Sequence, residues 1–138
     1  APGAGFSAGE PFRPRSPNAD SHSVAAEQLR DDSLLAWYRR LLALRNGIPA
    51  LARGSYAQAH VAGQTWSYQR VLGRQTALVL INYGAGPASI ELEGLAAGLR
   101  LRAQLPGSKR SMRVNANGRA RLRLPPRSVA VYLAGGAP

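Results

Sequence analysis

From Gly54 onward, the sequence is a series of short apolar segments separated by turn residues. Apolar and polar side chains alternate in several segments, which is the period of a half-buried strand. The predicted strands are residues 55–60, 65–72, 76–83, 88–92, 99–105, 111–114, 119–124 and 128–133. Regular short strands between turn signals indicate an antiparallel sandwich or barrel. We expect a mainly β fold, a Greek-key-like sandwich of about seven or eight strands.

The first part of the chain has a different composition. Residues 1–23 are rich in Gly, Pro, Ser and Asn and predict a loop. A helical turn over residues 24–29 and one long helix over residues 33–46 follow. We expect Asp31 and Asp32 to cap this helix, Gly47 to end it in a left-handed conformation and Pro49 to stop it. The predicted domains are therefore residues 1–53 and residues 54–138.

The predicted long helix carries a wide apolar stripe. Its members are Leu34, Leu35, Trp37, Tyr38, Leu41, Leu42 and Leu44. They fall within roughly half of the helix circumference, so the stripe must be buried against something large. We expect one of three outcomes: docking onto the sandwich, self-association of two copies through the stripe, or disorder of roughly the first 25 residues.

The length of 138 residues excludes several classes of protein. A whole (β/α)8 barrel needs about 250 residues and cannot fit. The absence of Cys excludes disulfides and thiol chemistry. No apolar run approaches the roughly 20 residues of a membrane span, and the first residues do not resemble a signal peptide. His22 and His60 are isolated from other ligands, so we predict no metal and no cofactor.

Charge supports one alternative function. The formal net charge is +11, and no acidic residue follows Glu93. Arg119, Arg121 and Arg123 share one face of a predicted strand, where they could line a phosphate backbone. An ordinary exposed sandwich face is the competing interpretation, and the aromatic residues that single-strand binders interleave are absent there. A basic module that binds nucleic acid or another polyanion is therefore kept as the alternative, with nucleic acid disfavoured.

The first third of the chain carries motifs that resemble a known family. Gly5-Phe6-Ser7-Ala8-Gly9-Glu10-Pro11-Phe12, then Pro17-Asn18, then Ser23-Val24-Ala25-Ala26-Glu27-Gln28 is similar to the end of the catalytic barrel in α-amylase family glycoside hydrolases. Phe12 stands where the family usually has Trp, and Ser23 where it usually has Asn. Asp32-Ser33-Leu34-Leu35, Tyr38-Arg39-Arg40-Leu41, Leu44-Arg45, Pro49-Ala50-Leu51 and Gly54-Ser55-Tyr56 resemble the family's last barrel helix and its exit.

The resemblance implies the C-terminal portion of a bacterial α-glucosidase, oligo-1,6-glucosidase or trehalose-synthase-like enzyme. Its long helix would be the remnant of the barrel and its strands the C-terminal sandwich. Such enzymes are retaining and use an Asp nucleophile with a Glu acid/base about 5–5.5 Å apart. The motifs around those residues are absent, so this chain alone is expected to hold no catalytic residue. Its expected partners are the missing barrel and, for the longer protein, a short α-glucoside or α-glucan in the cytoplasm or periplasm, without a membrane.

Two small groups of residues are candidates for contact with sugar. In the barrel architecture that the resemblance implies, residues 1–20 lie at the active-site face, where Phe6, Glu10 and Phe12 would border the leaving sugar. Local packing of the loop is the alternative role. Trp66 and Tyr68 alternate on one strand face. We expect them in the sandwich core; if they are exposed, they could form a platform on which a sugar ring stacks.

Overall fold

The computed structural model describes residues 8–106, 108 and 111–134. Contacts divide the chain into two compact units, Ala1–Ala43 and Leu44–Pro138. The helices are α1 (Val24–Glu27), α2 (Leu34–Gly47) and α3 (Pro49–Arg53). The division falls earlier than the predicted boundary between residues 53 and 54, which stays a prediction about the domains of the longer protein.

The N-terminus of α2 is capped by Ser33 and Glu27, so the expectation that Asp31 and Asp32 cap it is wrong. The Ser33 hydroxyl accepts from Ala36 N–H at 3.1 Å, and the Glu27 carboxylate accepts from the N–H of the second helical residue at 2.8 Å. Asp32 instead pairs with Arg30, whose hydrogen bond and charge lower the pKa of that carboxyl. Capping from Ser33 places the acceptor directly before the first helical turn.

The end of α2 also differs from the prediction. Gly47 is the last helical residue and does not have positive φ. The chain leaves the helix at Ile48, which is extended with φ −112° and ψ 104°. A residue before proline disfavours the helical region, and proline suits the first turn of a helix. Pro49 therefore starts α3 as well as ending α2, and Gln75 Oε1 accepts from Ala50 N–H at 2.7 Å in that first turn.

The second unit is an antiparallel β-sandwich, which confirms the predicted fold class. Among the residues that the structure describes, its strands are β1 (Ser55–Ala62), β2 (Thr65–Leu72), β3 (Gln75–Asn82), β4 (Ala88–Leu92), β5 (Arg100–Ala103), β6 (Ser111–Arg113), β7 (Ala120–Leu124) and β8 (Ser128–Ala134). One sheet has the order β1-β2-β3-β8-β5-β6, and the other pairs β4 with β7. The chain crosses between sheets before β8 returns to pair with β3, which is a Greek-key type of connection.

The core lies between the two sheets. It is built from β3, β5 and β8 of the larger sheet and from both strands of the smaller sheet. Its buried members are Leu78, Leu80, Ile90, Leu92, Leu101, Val114, Ala120, Leu122, Leu124, Ala130, Tyr132 and Ala134. A smaller cluster on the opposite face of the larger sheet joins Ile48 and Ala50 to Ala77. We call the face that meets the smaller sheet the inner face and the opposite one the outer face.

Asn82 joins the loop after β3 to the loop before β8. The residue is 1% exposed, and its amide is fully hydrogen-bonded. Nδ2 donates to the carbonyls of Gly86 and Pro125 at 2.9 and 2.8 Å, while Oδ1 accepts from Gly84 N–H at 2.9 Å. Three backbone groups therefore depend on this one side chain.

Gly54 allows α3 to lie close to the larger sheet. A Cβ at this position would meet the Ala50 carbonyl oxygen and would lie 2.9 Å from both the nitrogen and the carbonyl oxygen of Val71. Its φ of −65° and ψ of 157° suit any residue, so the requirement for glycine is one of space. This contact explains a glycine between the last helix and β1.

Candidate functional site

The predicted substrate-proximal residues lie in the first unit. Phe6 falls outside the described residues. Glu10 is exposed, and the Phe12 side chain is 100% exposed. Because neither side chain is packed within this unit, the alternative of local loop packing does not account for Phe12. The proposed contact of these residues with a leaving sugar stays a prediction.

The apolar stripe of α2 is only partly covered, with four of its residues half-buried: Leu35, Trp37, Leu41 and Leu44. No residue of the helix is buried, and Leu34, Tyr38 and Leu42 are all more than half exposed. Docking of the stripe onto the sandwich therefore also stays a prediction. An exposed apolar face of this kind marks a surface that another protein segment covers. Self-association of two copies through the stripe stays a prediction.

Trp66 and Tyr68 lie on the outer face, so the expectation that they belong to the sandwich core is wrong. Ser67 of the same strand is the Cα partner of Leu80, whose side chain is in the core. Trp66 and Tyr68 are partners of Ile81 and Val79 and therefore point the other way. Both aromatic side chains are half-buried.

Tyr56 joins these two residues in a cluster that the sequence analysis missed. The ring of Tyr68 lies 4.8 Å from that of Tyr56 and 4.9 Å from that of Trp66, measured between centroids. Partial burial raises the pKa of the Tyr68 hydroxyl, and Tyr56 adds to this rise. The β1–β2 hairpin, which turns at Gly63, brings Tyr56 beside β2. That turn was the signal in the sequence from which the position of Tyr56 could have been predicted. Because the rings contact one another, part of the surface needed for sugar stacking is occupied, and that role stays a prediction.

Arg70 follows the aromatic cluster on the outer face of β2. Its Cα partners are Tyr56 on one side and Ala77 on the other. The Nε atom of Arg70 is buried and has no hydrogen-bond partner among the described residues. Buried polar groups almost always have a partner, so this nitrogen needs an explanation.

Two of the three arginines in and directly before β7 form ion pairs with exposed acidic side chains. Arg119 pairs with Glu93 at 3.1 Å, and Arg121 with Glu91 at 3.7 Å across the β4–β7 ladder. Arg123 lies opposite Ser89 and forms no ion pair with the described residues. The acidic residues that the sequence analysis set apart from this row therefore lie beside it in the fold.

The described part of the chain contains no group of three or more His, Cys, Asp or Glu residues arranged to hold a metal ion. His22 accepts or donates a hydrogen bond with the adjacent Ser21 hydroxyl at 2.8 Å. None of the described helices has both the length and the apolar character needed to cross a membrane.

The fold and these surfaces define a β-sandwich domain with a helical lead-in. Over 91 residues the chain is 33% identical to a probable alpha-glucosidase of Rhizobium meliloti, and over 80 residues 34% identical to a glucan 1,6-alpha-glucosidase of Streptococcus dysgalactiae subsp. equisimilis. The matches cover 66% and 57% of this chain, but 16% and 15% of those relatives. No protein-family model matches the sequence.

Solved structures of enzymes that act on α-glucosidic bonds also resemble this chain. The trehalulose synthase of Pseudomonas mesoacidophila MX-45 has a TM-score of 0.73 and 28% identity, covering 95% of this chain and 23% of the synthase. An Anoxybacillus alpha-amylase shares the fold, with a TM-score of 0.66 at 23% identity over 76% of this chain and 23% of the amylase. The chain is thus a counterpart of the C-terminal portion of α-amylase family glycoside hydrolases.

Proposed function

We propose that this chain is the non-catalytic C-terminal part of a longer enzyme that hydrolyses or transfers α-glucosidic bonds in short α-glucans. One observation carries the proposal: 95% of the chain superimposes on only 23% of a trehalulose synthase. The names of the two curated relatives, an alpha-glucosidase and a glucan 1,6-alpha-glucosidase, support the same class of bond. The missing barrel would supply the nucleophile and the acid/base.

The state of the acidic residues supports a non-catalytic role. Asp20 and Asp32 form ion pairs with nearby arginines, and Glu27 caps α2. Glu91 and Glu93 pair with arginines of β7. A retaining glycosidase needs two carboxyl groups that face the same glycosidic bond, one of them protonated. The carboxylates named here already have guanidinium or backbone N–H partners within this chain.

The outer face supports a structural role beside the catalytic domain. It carries the half-buried aromatic cluster of Tyr56, Trp66 and Tyr68 and the buried Nε of Arg70. A neighbouring domain that covered this face would bury the aromatic rings and could offer an acceptor to that nitrogen. The same domain would cover the apolar stripe of α2.

The test is an activity assay on the longer protein. We expect it to hydrolyse p-nitrophenyl α-glucoside and isomaltose, whereas the isolated 138-residue chain has no activity above background. Deletion of this segment should abolish activity or solubility, because apolar surface of the barrel would be exposed. A longer protein that is folded but acts on no α-glucoside would overturn the proposal, and so would hydrolysis by the isolated chain.

The alternative, a module that binds polyanions, is supported by a second group of arginines. Arg100 and Arg113 are direct Cα partners on β5 and β6, and Arg102 follows on the same face. Like charges directly opposite in a ladder are unfavourable, and an anion would relieve them. Retention on heparin at physiological salt, lost in Arg100→Gln with Arg113→Gln, would favour this function. Elution below about 0.15 M salt would exclude it.

A further inference from the structure

The turn between β6 and β7 contains a chemically labile pair, Asn117-Gly118. In such a pair the glycine nitrogen attacks the asparagine side chain readily, because glycine has no Cβ to hinder the approach. The Asn117 side chain is exposed, so water reaches its amide. The sequence contains one other pair of this kind, Asn46-Gly47, where Asn46 is exposed in the last turn of α2.

The shape of the β6–β7 turn requires the glycine of this pair. Gly118 has a φ of +72°, a conformation that residues with a side chain rarely adopt. A Cβ at this position would also lie 2.7 Å from the carbonyl oxygen of Leu95. The Gly118 carbonyl in turn accepts from Leu95 N–H at 3.1 Å. The residue that follows Asn117 is therefore fixed by the fold, and the reactive pair results from it.

Asn115 holds the turn closed. Its side-chain Oδ1 accepts from the N–H groups of Asn117 and Arg119 at 3.0 and 2.9 Å. Its main-chain carbonyl accepts from Gly118 N–H at 3.1 Å, and its own N–H donates to the Arg119 carbonyl at 2.9 Å. Asparagine side chains commonly bind main-chain groups two residues further on and thereby stabilise turns. Every backbone N–H from residue 117 to residue 119 is therefore held by Asn115.

The chemistry at this pair uses only water. The Gly118 nitrogen loses its proton and forms a bond to Cγ of Asn117, while the bond from Cγ to Nδ2 breaks and ammonia leaves. The product is a cyclic imide. Water then opens either carbonyl of this ring, which gives aspartate or, when the main-chain carbonyl is attacked, isoaspartate. The sum is one water consumed and one ammonia released, and no group is oxidised or reduced.

The closed turn opposes the first step of this reaction. The attacking nitrogen of Gly118 carries the proton that is donated to the Asn115 carbonyl. The nitrogen must leave that bond before it can lose its proton and approach Cγ. The folded chain therefore reacts from an open form of the turn, at a rate set by the fraction of molecules in which the turn is open. Exposed turns open locally at a lower free energy than the sheets they connect.

We propose that Asn117 is a site of spontaneous deamidation, and that the Asn115 side chain sets its rate by keeping the turn closed. Asn115 takes no part in the bond changes and acts as a positioning residue. The product carries one additional negative charge, and its isoaspartate form also lengthens the main chain of the turn by a methylene group. The reaction needs neither an α-glucoside nor a second domain, so it is independent of the proposed function.

The test follows both Asn-Gly pairs of the 138-residue chain during incubation at mildly alkaline pH, by proteolysis and mass spectrometry. In the denatured chain, the two pairs should react at similar rates, because the following residue is the same. In the folded chain, the rate at Asn117 should fall by roughly tenfold or more, because only the open turn reacts. The products at Asn117 should include both aspartate and isoaspartate, as opening of a cyclic imide requires.

Variants of Asn115 separate opening of the turn from unfolding of the chain. Asn115→Ala should raise the folded-chain rate at Asn117 by roughly five- to twentyfold, the effect of losing two hydrogen bonds. Asn46 is the internal control, and its rate should not change. Asn115→Asp keeps an acceptor for both N–H groups and should leave the rate at Asn117 low.

Four results would overturn the proposal. The first is equal rates at Asn117 in the folded and the denatured chain. The second is an unchanged rate at Asn117 in folded Asn115→Ala. The third is an equal acceleration at Asn46 in that variant, which would show opening of the whole chain rather than of the turn. The fourth is aspartate without isoaspartate, which would show direct hydrolysis. If Asn115→Ala does not fold, the comparison of folded with denatured chain and the rate in Asn115→Asp still decide.

Discussion

Asn82 gives the sharpest test of how the sandwich is held together. Replacing it with Ala removes two donated hydrogen bonds and one accepted bond and leaves the backbone groups of Gly84, Gly86 and Pro125 without this partner. A buried hydrogen bond contributes about 0.5–1.5 kcal/mol, and an unsatisfied partner costs more. Three bonds give an expected loss of about 3 kcal/mol in the free energy of unfolding. For a unit of this size, that loss lowers the Tm by roughly 10–20 °C.

The assay is chemical denaturation of the chain, followed by circular dichroism or by tryptophan fluorescence. Asn46→Ala is the matched control, because Asn46 is exposed on α2 and the same change there should stay within about 0.5 kcal/mol. Asn82→Asp is a second variant: it keeps the shape and the acceptor for Gly84 but faces the two carbonyls of Gly86 and Pro125 with a charged oxygen. It should be at least as destabilising at neutral pH. A loss below about 1 kcal/mol for both variants would refute the reasoning.

Three further predictions concern other positions in the second unit. Gly54→Ala should lower the free energy of unfolding by about 3 kcal/mol, because the new Cβ would lie 2.9 Å from backbone atoms of Val71. The Tm should fall with it, and an unchanged Tm would contradict this contact. Gln58→Gly should raise the free energy of unfolding by up to about 1 kcal/mol, because glycine adopts the φ of +50° without strain. The control Gln64→Gly should lower the free energy of unfolding, and chemical denaturation measures both. A lower free energy of unfolding for Gln58→Gly would contradict backbone strain at this position. Stability should fall as pH rises above about 10, because burial raises the pKa of Tyr68 and the unfolded chain loses that proton first. Tyr68→Phe should reduce this slope by at most about 1.4 kcal/mol per pH unit, and an unchanged slope would show that Tyr68 does not contribute.

The strands were predictable because their signals are local. Alternation between Gly54 and the C-terminus predicted eight strands. The described part of the chain contains all eight, with only the ends shifted by one or two residues. The short helix α3 was missed for a physical reason. A proline stops a helix and also suits the first turn of a new one, and the sequence around Pro49 does not separate these roles. The cap of α2 was misassigned because Asp32 and Ser33 are adjacent acceptors and only the geometry decides between them.

The candidate sites depended on register, which is less local. Alternation placed Trp66 and Tyr68 on the same face of β2. A strand between two others can be apolar on both faces, so the pattern did not show whether that face was the inner or the outer one. The pairing of Ser67 with Leu80 decides it. The bulge at Gln58 and the small second sheet, which has two strands among the described residues, are also features of the fold rather than of any one segment. Neither feature leaves a periodic signal in the sequence, so neither could be predicted.

We propose that this chain corresponds to the last part of a longer α-amylase family enzyme. The most direct measurement is the sequence of the gene upstream of the codon for Ala1. We expect an uninterrupted reading frame that encodes a (β/α)8 barrel, with an Asp nucleophile and a Glu acid/base at the ends of its strands. An in-frame stop codon followed by a start codon immediately before Ala1 would contradict it.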